Sequence, residues 1–187
     1  MNIELFRTLN SLAGNNFLLD VFGIVMAKYL PFIFIFVLLL LWFKKGKFYK
    51  NIILYSVYSV ILGLALNFLI ALIYFHPRPF TLQLGKTLID HAPDASFPSD
   101  HTTFMLSIAF VFLRFKRARI IGAIFTLCGI IGGLARVFCG VHFPADIIGS
   151  IFVAAVSSKI IFLLRNKLKK INNIFLGLYF KIKKYVF

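Results

Sequence analysis

The run Arg136-Val-Phe-Cys-Gly-Val-His142-Phe-Pro-Ala-Asp146 sets an arginine, a histidine and a carboxylate at spacings of six and four residues. Two clusters lie upstream of it, Pro98-Ser99-Asp100-His101 and His76-Pro77-Arg78-Pro79. His142 and Asp146 share one face at a helix start. Asp146 can accept a hydrogen bond from one imidazole nitrogen, which orients the ring and leaves the other nitrogen as a nucleophile. Pro144 suits the first turn of that helix, where its missing N–H is not needed. Taken alone, the pair reads more readily as an ordinary interfacial contact. Ser99 precedes a long apolar run and reads as a helix N-cap, with the backbone N–H groups behind it forming an anion site. His101 then falls in the first helical turn and faces the same pocket. Arg78, held between two prolines, and Arg136 could each be a snorkelling anchor. Two planar guanidiniums also suit a phosphate or carboxylate ligand, which they grip at two points. Together the clusters describe phosphoryl transfer: cations on the oxygens, an in-line nucleophile and an acid for the leaving group. A zinc site built from His91, His101, His142 and Asp146 is a rival use of the same side chains. The tight ligand spacing is missing, and the arginines would repel a cation. No metal and no other cofactor is expected.

These groups sit in a chain that is mostly hydrocarbon. Its 187 residues are 60% hydrophobic with a mean hydropathy of +0.92, a membrane composition. Charged groups near lipid usually mark a functional site. The first sixteen residues carry Glu4 and Arg7 and show no cleavable signal peptide. Five spans are predicted, at about 22–43, 50–75, 98–114, 119–139 and 143–164, each approaching the ~20 residues that cross a bilayer core. The third is short and could begin below the membrane surface. Residues 17–30, with Asp20 and Lys28, could form a separate short helix, which would make six helical elements. The fold class is therefore all-α: a polytopic helical bundle, read as one domain over 1–187, with its site at the outer face.

The net charge of +15 does not indicate nucleic-acid binding, because of where the charges lie. Most basic residues fall in three clusters: Lys44–Lys50, Arg114–Arg119 and Arg165–Lys184. These occupy every second junction between apolar spans, as the positive-inside rule expects. The six acids and four histidines lie at the other junctions. That asymmetry puts the three chemical clusters outside the cytoplasmic membrane.

The remaining segments are less specific. Cys128 and Cys139 would lie roughly 16 Å apart on one helix, too far for a disulfide. Leu5, Leu9 and Leu12 align in an interfacial segment spanning 1–16. Leu168, Ile171, Phe175, Leu178 and Ile182 do so in a cytoplasmic amphipathic tail, 166–187, suited to anionic lipids. The outer connection 76–97 is long enough for a lid or a lipid entrance.

The three clusters resemble the motifs of the type 2 phosphatidic acid phosphatase superfamily: Lys-x6-Arg-Pro, Pro-Ser-Gly-His and Ser-Arg-x5-His-x3-Asp. This chain offers Arg78-Pro79, Pro98-Ser99-Asp100-His101 and Arg136-x5-His142-x3-Asp146, in the same order, and the resemblance covers most of residues 50–164. Within the superfamily, Tyr74-Phe-His-Pro-Arg-Pro-Phe80 and Asp94-Ala-Ser-Phe-Pro-Ser-Asp-His-Thr102 resemble the bacitracin-resistance type of undecaprenyl-diphosphatase. The resemblance implies that the terminal phosphate of undecaprenyl diphosphate is removed, recycling the cell-wall carrier lipid and countering bacitracin. It also implies that His142 is the nucleophile, that Asp146 orients it, and that His101 protonates the leaving oxygen. Arg78, Arg136, Ser99 and nearby N–H groups would hold the oxygens, with Asp100 beside them. The family lysine is Ala71 here, with Lys86 as a weak replacement. The family serine is Ala135. The family glycine is Asp100, which is expected to pair with Arg78 or a loop donor. Alternative readings are a phosphatase for phosphatidylglycerophosphate or phosphatidic acid, and a non-catalytic lipid-phosphate carrier. The oligomeric state is not legible.

Overall fold

A computed structural model describes residues 1–186, with side chains through Lys181. It contains no strand among the described residues. The helices are α1 (Asn2–Asn10), α2 (Phe17–Lys44), α3 (Lys47–Ile73), α4 (Asp100–Leu113), α5 (Arg119–Phe138) and α6 (Pro144–Val186). A short 3-10 turn, Pro79–Leu82, lies in the α3–α4 connection, and another, Lys116–Ala118, leads into α5. Four helices, α2, α3, α5 and α6, are long and apolar enough to cross a membrane. The expected third span, α4, has only 14 residues, about 21 Å, and does not bridge a ~30 Å core by itself. It is the hub of the bundle and packs on α3, α5 and α6. Nine of its residues, from Thr102 to Phe112, are buried.

Small side chains allow this close packing. A methyl group at Gly122 of α5 would run into the backbone of Leu113. Ser59 of α3 and Ser107 of α4 both meet Ser157 of α6, at 3.2 and 3.3 Å, so buried hydroxyls satisfy one another. The apolar core gathers Leu30, Phe34, Ile52, Met105, Ile108, Phe112 and Phe125, with Phe34 stacked on Phe125 at 4.6 Å.

α2 does not break at residue 30. It runs through Pro31 as one helix, so the separate helix considered for 17–30 does not form. Proline has no N–H for the carbonyl four residues back, which frees the Ala27 oxygen. Arg136 Nη1 donates to that oxygen at 3.2 Å. A neighbouring helix thus satisfies the group that proline leaves open. α6 also continues well beyond 164. Its 43 residues form one helix about 65 Å long, because nothing between 164 and 186 stops it. Past the bilayer-length part, Asn172 and Leu176 turn inward, while Ile171, Phe175 and Leu178 are exposed. The Ile182 side chain lies outside the described residues.

At the outer end, α1 turns Phe6, Asn10 and the following Ala13 inward and leaves Leu5 and Leu12 exposed. Phe6 packs on Phe143 at 5.3 Å. The Asn10 side chain donates to the carbonyls of Lys86 and Phe138, each at 2.8 Å, and accepts from the Lys86 N–H at 2.7 Å. Gly85 and Gly140 beside it have φ of +67° and +83°. A side chain at either would strike Asn10 or the Lys86 carbonyl, so both need glycine. Leu88 N–H adds a bond to the Cys139 carbonyl at 3.1 Å. The α3–α4 connection is therefore clamped to α1 and to the end of α5.

Candidate active site

The turn between α5 and α6 presents His142, and Asp146 follows one helical turn later. The Asp146 carboxylate is fully buried and collects donors on Oδ2: the Phe143 N–H at 2.7 Å, the Ser96 hydroxyl in a short bond, and His142 Nδ1 at 3.2 Å. On its other side, His142 Nε2 lies 3.1 Å from Arg78 Nη1. A guanidinium can only donate, so Nε2 faces it with a lone pair and the ring proton sits on Nδ1, toward Asp146. That tautomer is the nucleophilic one. Burial, and then the charges of Arg136 and Arg78, hold His142 well below the ordinary histidine value. The imidazole is therefore neutral at physiological pH.

Arg78 is buried and fully oriented. Its Nε bonds Asp94 at 2.7 Å, Nη1 also reaches the Val141 carbonyl at 2.9 Å, and Nη2 reaches the Ala95 carbonyl at 3.2 Å. The prolines on either side stiffen its backbone. Arg136 differs. It makes one bond, to Ala27, and its Nε and Nη2 are buried with no partner among the described residues. Buried unpaired donors on a cation form a ready grip for an oxyanion.

Ser99 caps α4 and accepts from the Thr102 N–H and hydroxyl at 3.4 and 3.1 Å. Its own carbonyl accepts from Ser150 at 3.0 Å. The hydroxyl accepts both bonds, which leaves its own O–H free to donate. His101, in the first turn, occupies a junction. It lines a polar cavity of about 440 Å³ together with Lys28, His91 and Arg136. It also lines a mostly apolar groove of about 230 Å³ with Pro31, Phe32, Ile35, Leu64 and Phe104, and Asp100 is the acid in that wall. Through Ile35 and Phe104 that groove meets a second one, about 290 Å³, wholly apolar and running toward Trp42.

Two expectations about partners change. Asp100 pairs with Asn67 of α3, whose amide donates to it at 2.7 Å, and not with Arg78 or a loop donor. Arg78 is already held by Asp94, and Asn67 projects from α3 to meet the start of α4. Lys86 does not replace the family lysine. Its Nζ bonds the Ala13 carbonyl at 2.8 Å and Asn15 at 3.2 Å, because the clamp on α1 turns it away. Among the described residues no group of three or more His, Cys, Asp or Glu is placed to hold a metal, so the four zinc candidates do not form a ligand set. Both cysteines are free.

Three further residues join the site from within the sequence motifs, where the spacing assigns them no role. Ser96 donates to Asp146 and lies 3.4 Å from His142 Nδ1. Asp94 holds Arg78. His76 places Nδ1 3.7 Å from Asp146 Oδ1, and both atoms lack a hydrogen-bond partner. Burial lowers the His76 and His91 pKa values, so neither ring is readily charged. The nearness of Ser96 and Asp94 to Pro98-Ser99 was the available signal.

A neutral imidazole braced by a carboxylate, a buried arginine on its other nitrogen, and a second histidine bordering an apolar groove make the layout of a membrane-embedded lipid phosphatase. Residues 52–170 match the PAP2 superfamily, and the chain belongs to it. It is 38% identical over 156 residues to undecaprenyl-diphosphatase BcrC of Bacillus subtilis (strain 168), covering 83% of this chain and 80% of that one. It is 26% identical to the putative undecaprenyl-diphosphatase YbjG of Escherichia coli (strain K12), covering 83% of this chain and 78% of that one. The crystal structure of Aquifex aeolicus LpxE superposes with a TM-score of 0.71 at 28% identity, over 86% of this chain and 94% of that chain. The protein is thus a multi-pass membrane phosphatase with a fold shared with LpxE.

Proposed function

We propose that the protein removes the terminal phosphate of undecaprenyl diphosphate at the outer face of a bacterial cytoplasmic membrane, yielding undecaprenyl phosphate and inorganic phosphate. His142 Nε2 attacks the terminal phosphorus, and the bond to the bridging oxygen breaks. Burial, and then the Arg136 charge, hold the His101 pKa down to about 4 before substrate binds. The ring takes a proton as the substrate's negative charge enters and passes it to the departing lipid phosphate. Water then cleaves the phosphohistidine, and Asp146 stabilises the imidazolium while it exists. Arg136, Arg78 and the α4 N-terminus hold the phosphoryl oxygens.

The observation that carries this reading is the place of His101 between the polar cavity and the apolar groove. A leaving group attached to a long tail has to depart at that junction. The named activities of the relatives support the choice of tail and diphosphate. The charge asymmetry of the junctions supports an outward-facing site. Removing this diphosphate would also remove the target of bacitracin.

The test is phosphate release by purified protein in detergent with EDTA, from undecaprenyl diphosphate, phosphatidylglycerophosphate and phosphatidic acid. Fast release from the diphosphate, abolished in His142→Ala, is expected, together with acid-labile label on His142 after a rapid quench. Preference for a glycerophospholipid would overturn the substrate. Turnover retained in His142→Ala would overturn the mechanism.

A further inference from the structure

Lys28 is a cation inside a helix long and apolar enough to cross a membrane, and such a charge needs a reason. It forms no ion pair among the described residues. Its ring contact is with its own neighbour, Tyr29, at 5.7 Å. It lines the polar cavity with Arg136, His91 and His101. The acid in that wall, Asp90, is exposed and makes no ion pair among the described residues. The Lys28 side chain is exposed, and it is the backbone that carries it which is fixed. The preceding residue, Ala27, has its carbonyl freed by Pro31 and taken by Arg136, so this turn of α2 is docked on the site arginine.

The same face of α2 continues into the apolar groove. Pro31 and Phe32 stand three and four residues after Lys28, and Ile35 follows, all lining that groove. A ligand lying along α2 would therefore meet a cation first and hydrocarbon next. His101 lines both chambers. In the mechanism proposed above, the bridging oxygen it protonates joins the phosphate transferred to His142 and the group attached to the tail. In a diphosphate, that attached group is a second phosphate.

We propose that Lys28 binds this second, non-transferred phosphate and so selects lipid diphosphates over monophosphates, supplying from α2 the charge absent at Ala71. This rests on the diphosphate reading above. An ammonium is a compact point charge on a flexible stem, suited to reaching a group beyond the arginines.

The experiment compares wild-type protein with Lys28→Gln, Lys28→Met and Lys28→Arg, each checked for monodispersity in detergent. Substrates are a polyprenyl diphosphate and the monophosphate with the same tail, with EDTA present. For Lys28→Gln and Lys28→Met, kcat/KM on the diphosphate is expected to fall about tenfold, while the monophosphate changes less than about threefold. Lys28→Arg should recover most of the loss. Calorimetric titration with inorganic pyrophosphate and orthophosphate reads binding without turnover. There the neutral variants should lose about tenfold for pyrophosphate and little for orthophosphate. Equal losses on both substrates, or unchanged pyrophosphate binding, would overturn the role of Lys28. A wild-type protein that binds pyrophosphate through Lys28 yet does not hydrolyse the lipid diphosphate would overturn the proposed function and leave the Lys28 site standing.

Discussion

The two ends of the bundle both bury polar groups, and they treat them in opposite ways. At the inner end, Lys50 is buried with its Nζ on the carbonyls of Trp42 and Lys45, between the rings of Trp42 and Tyr179. Buried Asn172 accepts from Tyr58 at 2.9 Å and donates to Asn51 at 3.1 Å. At the outer end, four buried side-chain atoms have no partner among the described residues: His76 Nδ1, Arg136 Nε and Nη2, and Asp146 Oδ1. Unpaired buried polar atoms are costly, about 1–3 kcal/mol each in mutational data. Closed hydrogen bonding at one end serves architecture. Open bonding at the other stores donors and acceptors for a ligand.

Substitutions can break this contrast. The largest effect is expected at His142. His142→Ala should lower kcat by at least about three orders of magnitude while leaving the folded protein in place, as phosphate release and melting temperature would show together. Arg136→Met comes next. Its unpaired nitrogens should be worth about 10²–10³ in turnover, while the Ala27 carbonyl, left without its donor, should lower stability by only about 1–3 kcal/mol. A melting temperature that falls as sharply as the rate would erase the distinction between the two ends.

Lys50→Met should do the reverse. The Trp42 and Lys45 carbonyls would lose their donor at about 1–3 kcal/mol of stability, with turnover of the folded fraction within about twofold of wild type. The smallest effect is in pH. His142 is held neutral, with a pKa well below its ordinary value of 6.5, so below that pH the unfolded chain binds a proton that the native protein refuses. Stability from this group is therefore complete above pH 6.5 and declines as the pH falls below it. The acid limb of kcat/KM should likewise lie well below 6.5. His142→Gln should flatten the stability decline, and an acid limb at 6.5 in the wild type would contradict the buried, neutral imidazole.

What could be read from sequence depended on how far apart the interacting residues are. His142 and Asp146 are four apart, and helical periodicity alone pairs them. Arg78, His101 and Arg136 were legible as ions in an apolar chain. Hydropathy also delivered the spans, with α4 shorter than the rest. Partners across long separations were not legible. Asn10 meets Phe138 across 128 residues, and Asn67 takes Asp100 across 33. No local spacing encodes such meetings, and an asparagine carries no charge to betray it. Ser96 was missed because a serine three residues before Ser99 looks like more of the same turn. The role of Pro31 needed Arg136 beside it, since a free carbonyl on a helix says nothing about which donor will come.

The clamp on the α3–α4 connection bears on how substrate traffic is routed. A connection of this length was a natural moving lid, but Asn10 ties it to α1 and α5 through three hydrogen bonds. The amides of Lys86 and Leu88 should accordingly resist deuterium exchange as helix amides do, although they belong to a loop. With the roof fixed, the side left for a lipid to enter is the seam where the apolar grooves run between α2 and α3. Entry and exit then depend on lipids parting that seam. The rate should follow the lateral pressure of the surrounding bilayer more closely than the composition of the water above it.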